Sequence, residues 1–494
     1  MNELLEGLKN ASNYTYTENG AITHKTTNSA LLDMFAMGGA YRKRPEEDCL
    51  LLFKEAYTEN PEYALKCLFY LRDIRGNGQG ERRFFRVCMK WLANYNPEAV
   101  KRNLPYFAEM GRWDDLYCLV GTMVEKDMFA LIKKQLTEDL RSATPSLVSK
   151  WLKSENCSSK ESKALGNLTR NYLGLSPREY RKMLSCLRER IRIVERLMSE
   201  NRWEEIDFSK LPSKAGLLYR NAFERREEIA EKYKEFARDK SSTVNAGTLY
   251  PYEVVEKAMD LMGSSRWLKS SVALDDTQRL MINKYWDNMR DYFEGSKLNA
   301  LCMVDTSSSM LTLPMTVAVS LGLYCAERAK GPFANHYISF SREPRLVECK
   351  GVDFCDKVHR IVSANLCENT NIEKAFDMVL KTAIQNHVAQ EDLPEHIIVI
   401  SDQEFDQGTC DRKDADTLME GICRKWEAMG YRMPNLVFWN VDARNENGNI
   451  PMLGSRVSFV SGFSPAAFKI ISSGKTGEEL MWEALNDERY ANIH

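Results

Sequence analysis

The segment Leu298 to Met310 reads LNALCMVDTSSSM, and its polar end carries Asp305, Ser307 and Ser309 at alternate positions. An Asp-x-Ser-x-Ser spacing after an apolar run puts one carboxylate and two hydroxyls on the same side of a tight turn. Three hard oxygens facing one point suit Mg²⁺ or Mn²⁺ rather than zinc. A plainer use for the serines is helix capping, with Ser309 as the acceptor for free backbone N–H groups.

The elements around these residues fit a ligand site. Ala300 to Val304 has the length and bounding of a buried parallel strand, and an apolar-periodic segment begins near Pro314. Strand, loop and helix in that order set Asp305, Ser307 and Ser309 at the C-terminal edge of a sheet, where open α/β folds place their ligands. A second apolar strand, EHIIVIS, ends at Asp402, and Thr370 in ENTNIEKAF lies just before another helical pattern. Together Asp305, Ser307, Ser309, Thr370 and Asp402 resemble the metal-ion-dependent adhesion site of a von Willebrand factor A domain. Capping explains the serines but leaves Asp402 without a role.

From residue 296 onward strand and helix alternate as a doubly wound sheet requires. Strands are expected near 299–304, 334–340, 345–348, 396–401, 435–441 and 456–460. Helices are expected near 313–329, 352–363, 371–387, 412–429, 465–472 and 477–486. The loops at Asp442-Ala443 and Ser461 to Ser464 follow strands and should share the rim with the metal ligands. Glu404 and Asp406 either point into the site or accept hydrogen bonds behind it.

The front of the chain is different. Residues 1–44 are expected to be a partly ordered arm with a basic patch, Arg42-Lys43-Arg44. From Pro45 to Gly295 the pattern stays helical, with segments near 46–59, 61–75, 81–95, 97–110, 113–121 and 123–142 separated by breakers such as Asn60-Pro61 and Asn96-Pro97. One helix is expected to run through 178–197 and another long one to begin near Ser213. Short loops between helices of this length imply stacked antiparallel pairs, an irregular HEAT-like array without a strict repeat. The expected domains are thus 1–44, 45–295 and 296–494.

Composition is that of an ordinary globular chain, with 44% hydrophobic and 28% charged residues among 494 and a net charge of −2. That length is too great for one core. No apolar run is long enough to span a bilayer, MNELLEGLKN lacks a basic segment followed by an apolar one, and the 13 Cys form no CxxC pairs, so a reduced, cytoplasmic protein with no membrane contact is expected. The near-zero net charge hides an asymmetry: basic residues outnumber acidic ones before residue 296, and the reverse holds after it.

Two stretches concentrate the cations. In YLRDIRGNGQGERRFFRVCMK, Arg72, Arg75, Arg82, Arg83 and Arg86 surround a glycine-rich turn, and arginine forks match phosphate oxygens. The alternative is a helix–helix turn whose arginines pair with Asp73, Glu81 and neighbouring helices. Arg178, Arg181, Lys182, Arg188 and Arg192 line the second stretch, opposite an apolar stripe, with Lys150 and Lys153 able to widen the patch. Glutamates dilute it, so a plain solvated face is the competing reading.

The combination resembles the Ro autoantigen family, proteins with a TROVE helical domain and a von Willebrand factor A domain, and fits best an uncharacterised branch of that group. The resemblance rests on LFYLRDIRGNGQGERR (68–83), LPYFAEMGRWDDL (104–116), SKWL (149–152), YRKMLSCLRERIRIVERLM (180–198), IDFSKLPSKA (206–215), VDTSSSM (304–310), SDQEFD (401–406) and VSGFS (460–464). It implies a ribonucleoprotein scaffold, with structured non-coding or misfolded RNA on the helical domain. The metal-site chemistry adds a Mg²⁺-dependent contact to a protein partner bearing an acidic residue. A purely protein-binding assembly module is the rival. An enzyme is disfavoured: no GxSxG, HExxH, phosphate-loop or paired-Cys zinc pattern occurs, and His336, His359, His387 and His396 stand alone.

Overall fold

The structure is a computed structural model that describes residues 13–262, 272–340, 343–364, 371–408, 416–444 and 449–494. It opens with an antiparallel hairpin, β1 (Tyr14–Tyr16) and β2 (Ile22–His24), followed by the buried helix Ala30–Met37.

The helical array then begins, and its breakers work as the sequence implies. Asn60 ends the helix Glu46–Glu59 and caps Pro61–Arg72, its side chain accepting from the Tyr63 N–H. Asn96 does the same between Arg82–Tyr95 and Pro97–Asn103. A proline follows each cap, at the position where a missing N–H costs nothing. Three expected helices are interrupted. The 97–110 segment splits into Pro97–Asn103 and Tyr106–Met110 around Pro105. The 178–197 helix ends at Arg190, Arg192 adopts φ +49°, and the short Val194–Ser199 helix folds back so that Arg196 meets Glu189. The long helix from Ser213 is two, Ser213–Arg225 and Glu227–Arg238, because Arg226 is extended, its guanidinium lying over the Trp203 ring.

The second half is a six-stranded sheet: β3 (Ala300–Asp305), β4 (His336–Phe340), β5 (Arg345–Glu348), β6 (His396–Ser401), β7 (Asn435–Asn440) and β8 (Val457–Ser461). Their spatial order is β5-β4-β3-β6-β7-β8, parallel except for β5. Strands β3 and β6 are buried at every position, as strands covered on both faces must be. The protein is therefore a helical array followed by a doubly wound α/β domain built on a six-stranded mixed sheet.

The two halves are not separate bodies. At the front, Ala30–Met37 packs on β8, the Gly39 N–H donates to Ser461 Oγ at 3.0 Å, and Lys43 pairs with Asp442 at 2.9 Å. At the back, Arg279 pairs with Asp353 at 2.7 Å and Trp286 stacks on Phe354 at 4.1 Å. Tyr250 Oη donates to the Gln79 carbonyl at 3.0 Å, so the loop before the helix Pro251–Met262 meets the glycine-rich turn between Pro61–Arg72 and Arg82–Tyr95. The C-terminal residues return to the array, where Arg489 Nη2 and Tyr490 Oη donate to the buried Asp73 at 2.9 and 3.0 Å. Among the described residues no helix is long and apolar enough to cross a membrane.

Candidate metal centre

The chain order of the sheet reverses between β3 and β6, where doubly wound sheets open a crevice at their C-terminal edge. Val304 stands opposite Ile400, so the register lays Asp305 beside Ser401 and one residue short of Asp402. Ser401 Oγ donates to Asp305 Oδ2 at 2.5 Å, and the Ser307 N–H donates to Asp305 Oδ1 at 2.9 Å. The Thr306 N–H, donating to the Phe340 carbonyl at 3.0 Å, ties this loop to β4. Ser307 Oγ and Ser309 Oγ are 2.9 Å apart. Ser309 does not cap the following helix: Thr312 holds that position, without a side-chain cap bond.

The backbone is strained on both sides. Gln403, directly after Asp402, has φ +65°, and Thr312 has φ +79°. Non-glycine residues rarely adopt such values, least of all a β-branched one, and they persist where surrounding contacts over-determine them. Here Ser401 Oγ accepts the Gln403 N–H at 2.8 Å and Asn449 Nδ2 donates to its carbonyl at 2.9 Å.

Asp305 and Asp402 are both essentially inaccessible, at 0% and 1% exposure. Burial, together with the charge of Asp402, pushes the Asp305 carboxyl up to about 7, against the opposing hydrogen bonds from Ser401 and Ser307. Burial likewise raises Asp402 and takes nearby Glu404 to about 7. Asp402 Oδ1 accepts the Glu404 N–H at 3.1 Å, while Oδ2 is buried without a hydrogen-bond partner. Two buried carboxylates, the charge of the second raising the first's cost of ionisation and one oxygen of the second accepting no hydrogen bond, next to two hydroxyls, form a donor set that fits a hard divalent cation. Among the described residues no three His, Cys, Asp or Glu side chains gather to hold a metal, which sets this hydroxyl-rich pocket apart from a zinc site. Thr370 lies outside the described residues.

Sequence reasoning missed what covers the pocket. Arg444, in the loop after β7, sets Nε 3.7 Å from Asp402 Oδ2, donates through Nη1 to the Ser309 carbonyl at 3.2 Å, and pairs through Nη2 with Glu18. The β1–β2 hairpin lies along the same rim: Thr17 Oγ1 donates to the Phe405 carbonyl at 2.7 Å, the Glu18 N–H to Glu404 Oε2 at 2.6 Å, and Gly20 bridges Asp406. Both loops named from sequence, at Asp442 and Ser461, do lie on this rim and are engaged by Lys43 and Gly39. The only sequence signal for Arg444 was a cation following a strand on the metal edge.

The basic residues fall into three groups. Arg75, Arg82, Arg178, Arg181 and Lys182 are exposed, and no side-chain hydrogen bond or ion pair is found for them among the described residues. Others serve the fold. Arg83 donates to the Arg44 carbonyl at 2.6 Å, Arg86 to Asp115 at 2.8 Å, and Arg188 to the carbonyls of Ser149 and Leu152, both at 2.9 Å. Lys150 and Lys153 lie over the rings of Trp151 and Tyr117, and the exposed Arg192 is 3.9 Å from Glu205. Lys150, Arg181 and Arg188 do share a surface cavity of about 650 Å³, but Glu155, Glu195 and Glu200 line it too. The glycine-rich turn has a packing reason: a Cβ at Gly78 would come 2.2 Å from the Tyr70 carbonyl, and one at Gly80, where φ is +66°, 1.8 Å from Tyr250 Oη.

A family model described as Domain of unknown function (DUF2828) matches residues 17–164 and 142–295, together more than half of the chain. The chain belongs to that family. A second model, Domain of unknown function (DUF7788), matches residues 299–491, the sheet domain with its rim. The chain is 29% identical over 508 residues to "Uncharacterized protein L728" of Acanthamoeba polyphaga mimivirus, a match that covers 94% of this chain and 85% of the viral protein. Among solved structures it is similar to the Ro (RSR) protein of Deinococcus radiodurans, at 13% identity and a TM-score of 0.46, covering 91% of this chain and 99% of that one.

Proposed function

We propose that the protein is a non-catalytic scaffold of Ro type. Its rim would take a Mg²⁺ or Mn²⁺ ion for contact with a protein partner bearing an acidic residue, and its helical array would hold structured RNA. The observation that carries the metal half is the buried Asp305–Asp402 pair, in which Asp402 Oδ2 accepts no hydrogen bond and has only the Arg444 guanidinium 3.7 Å away. Asp305, Asp402, Ser307 and Ser309 would hold the ion. Bound there, it would supply a Lewis-acidic position able to take a carboxylate oxygen from outside.

For RNA, the support is the cluster at the glycine-rich turn. Desolvation, then the like charges of Arg112 and Arg86, hold Arg82 below the usual guanidinium range, and desolvation with Arg489 and Arg72 does so for Arg75, against the opposing charges of Asp114 and Asp115 and of Asp73 and Glu109. Cations that repel one another at a surface are relieved by an anion, and a phosphate backbone provides a row of them. A protein-only adhesion module is the second reading, favoured by the internal roles of Arg83, Arg86 and Arg188.

The test is a titration of the full chain with a structured RNA at several salt concentrations. Affinity that falls steeply with salt supports the scaffold reading. No binding at low salt, together with chelator-sensitive capture of an acidic peptide, leaves the protein-only module.

A further inference from the structure

We propose that Arg444 and the N-terminal hairpin form an internal cap on the two-carboxylate pocket, and that Arg444 must give up Asp402 before a divalent cation can be held there. The inference rests on the metal-centre reading and adds its regulation.

Arg444 is bound to three sides of the pocket at once. Its guanidinium is 3.7 Å from Asp402 Oδ2, the same oxygen that lacks a hydrogen-bond donor, and it also holds the Ser309 carbonyl. Its remaining nitrogen pairs with Glu18, at the hairpin's tip. Asp402, Glu18 and Glu404 together stabilise its charge. Arg444 thus supplies the positive charge that Asp402 requires when no metal is held. A divalent cation between Asp305 and Asp402 places like charges side by side in a buried setting, where screening is weak. Relief comes by moving the guanidinium outward, since Asp305 ends β3 and Asp402 directly follows β6, whereas the arginine belongs to a loop.

The hairpin is tied to that movement. Glu18 loses its cation when Arg444 leaves, and its N–H already donates to Glu404 Oε2 at 2.6 Å, two residues from Asp402. The other ties are the Thr17 and Asn19 side chains on the carbonyls of Phe405 and Glu404, and the backbone bridges Gly20–Asp406 and His24–Ile450. These are the strand-end loops that a partner approaching the rim has to reach. The cap and an external acidic ligand therefore compete for one surface.

The test uses the full chain as wild type, Arg444→Gln, Glu18→Gln and Asp402→Asn, titrated calorimetrically with Mn²⁺, with hydrogen exchange of residues 13–26 followed with and without the ion. The cap predicts that Arg444→Gln binds Mn²⁺ about tenfold more tightly than wild type. It also predicts that Mn²⁺ speeds exchange of the hairpin about tenfold in wild type. Glu18→Gln, which keeps every pocket side chain, should show fast hairpin exchange before any ion is added. Unchanged or weaker affinity in Arg444→Gln, or hairpin exchange indifferent to Mn²⁺ and to Glu18→Gln, overturns the cap while leaving the metal centre standing. Wild type that takes no Mn²⁺, or Asp402→Asn that takes it equally well, overturns the metal centre and the cap with it.

Discussion

Asp305 and Asp402 close two neighbouring parallel strands at the point where the sheet's chain order reverses, and Ser401 Oγ donates to the first from the residue before the second. That register makes a pocket of two residues nearly a hundred positions apart.

Stability should respond to pH through this pair. In an unfolded chain Asp305 ionises near its ordinary value of about 3.9, whereas in the fold its carboxyl is pushed up to about 7. The folded state then holds a proton that the unfolded state has released, so stability falls as pH rises from about 4 to 7 and stays lower above that. Glu404, also pushed to about 7, adds in the same direction. In chelator the melting temperature should drop between pH 5 and pH 8, by an amount on the order of a few kcal/mol in unfolding free energy. Asp305→Asn should flatten part of the drop, and Mg²⁺ at pH 8 should reverse it. A flat profile in chelator contradicts this.

Arg72 is buried with Asp115, Nη2 to Oδ2 at 2.7 Å, and the same carboxylate receives Arg86 at 2.8 Å and the Arg112 N–H at 2.9 Å. Asp115→Ala strands a buried guanidinium and should cost about 3–5 kcal/mol in denaturant unfolding. A loss under 1 kcal/mol would mean that Arg72 finds another outlet.

Gly78→Ala separates the structural from the phosphate-binding reading of the glycine-rich turn. The new methyl meets the Tyr70 carbonyl and should destabilise the fold by about 2 kcal/mol. If stability holds and only RNA affinity falls, the turn serves the ligand.

Arg75→Ala with Arg82→Ala should leave the melting temperature within about a degree, since neither side chain carries a hydrogen bond or ion pair among the described residues. The pair should lower RNA affinity and reduce the log–log salt slope by about 2, near one unit per lost phosphate contact. Arg188→Ala should do the opposite, lowering stability because three acceptors in the Ser149–Ser154 segment lose their donor. Equal salt slopes for wild type and the double variant would remove these arginines from the RNA surface.

Much of the sheet domain was legible because periodicity and position agree: buried parallel strands read as continuous apolar runs, β3 ends at Asp305, and β6 ends one residue before Asp402. The front of the array was legible through Asn60-Pro61 and Asn96-Pro97, whose capping is a local property. The breaks at Arg192 and Arg226 were not, because tertiary contacts, Arg196 with Glu189 and Arg226 over Trp203, outweigh a helical pattern. The rim's cover was hidden for another reason. Glu18, Glu404 and Arg444 meet through pairings that span almost the whole chain, and no local spacing encodes a partner that distant.

The central claim is that Asp305 and Asp402 share one divalent cation, and the most direct measurement is the number of Mn²⁺ ions bound per chain, counted by electron paramagnetic resonance. Wild type should bind one, Asp402→Asn none, with both folded by circular dichroism. Equal Mn²⁺ uptake by the two proteins would contradict it.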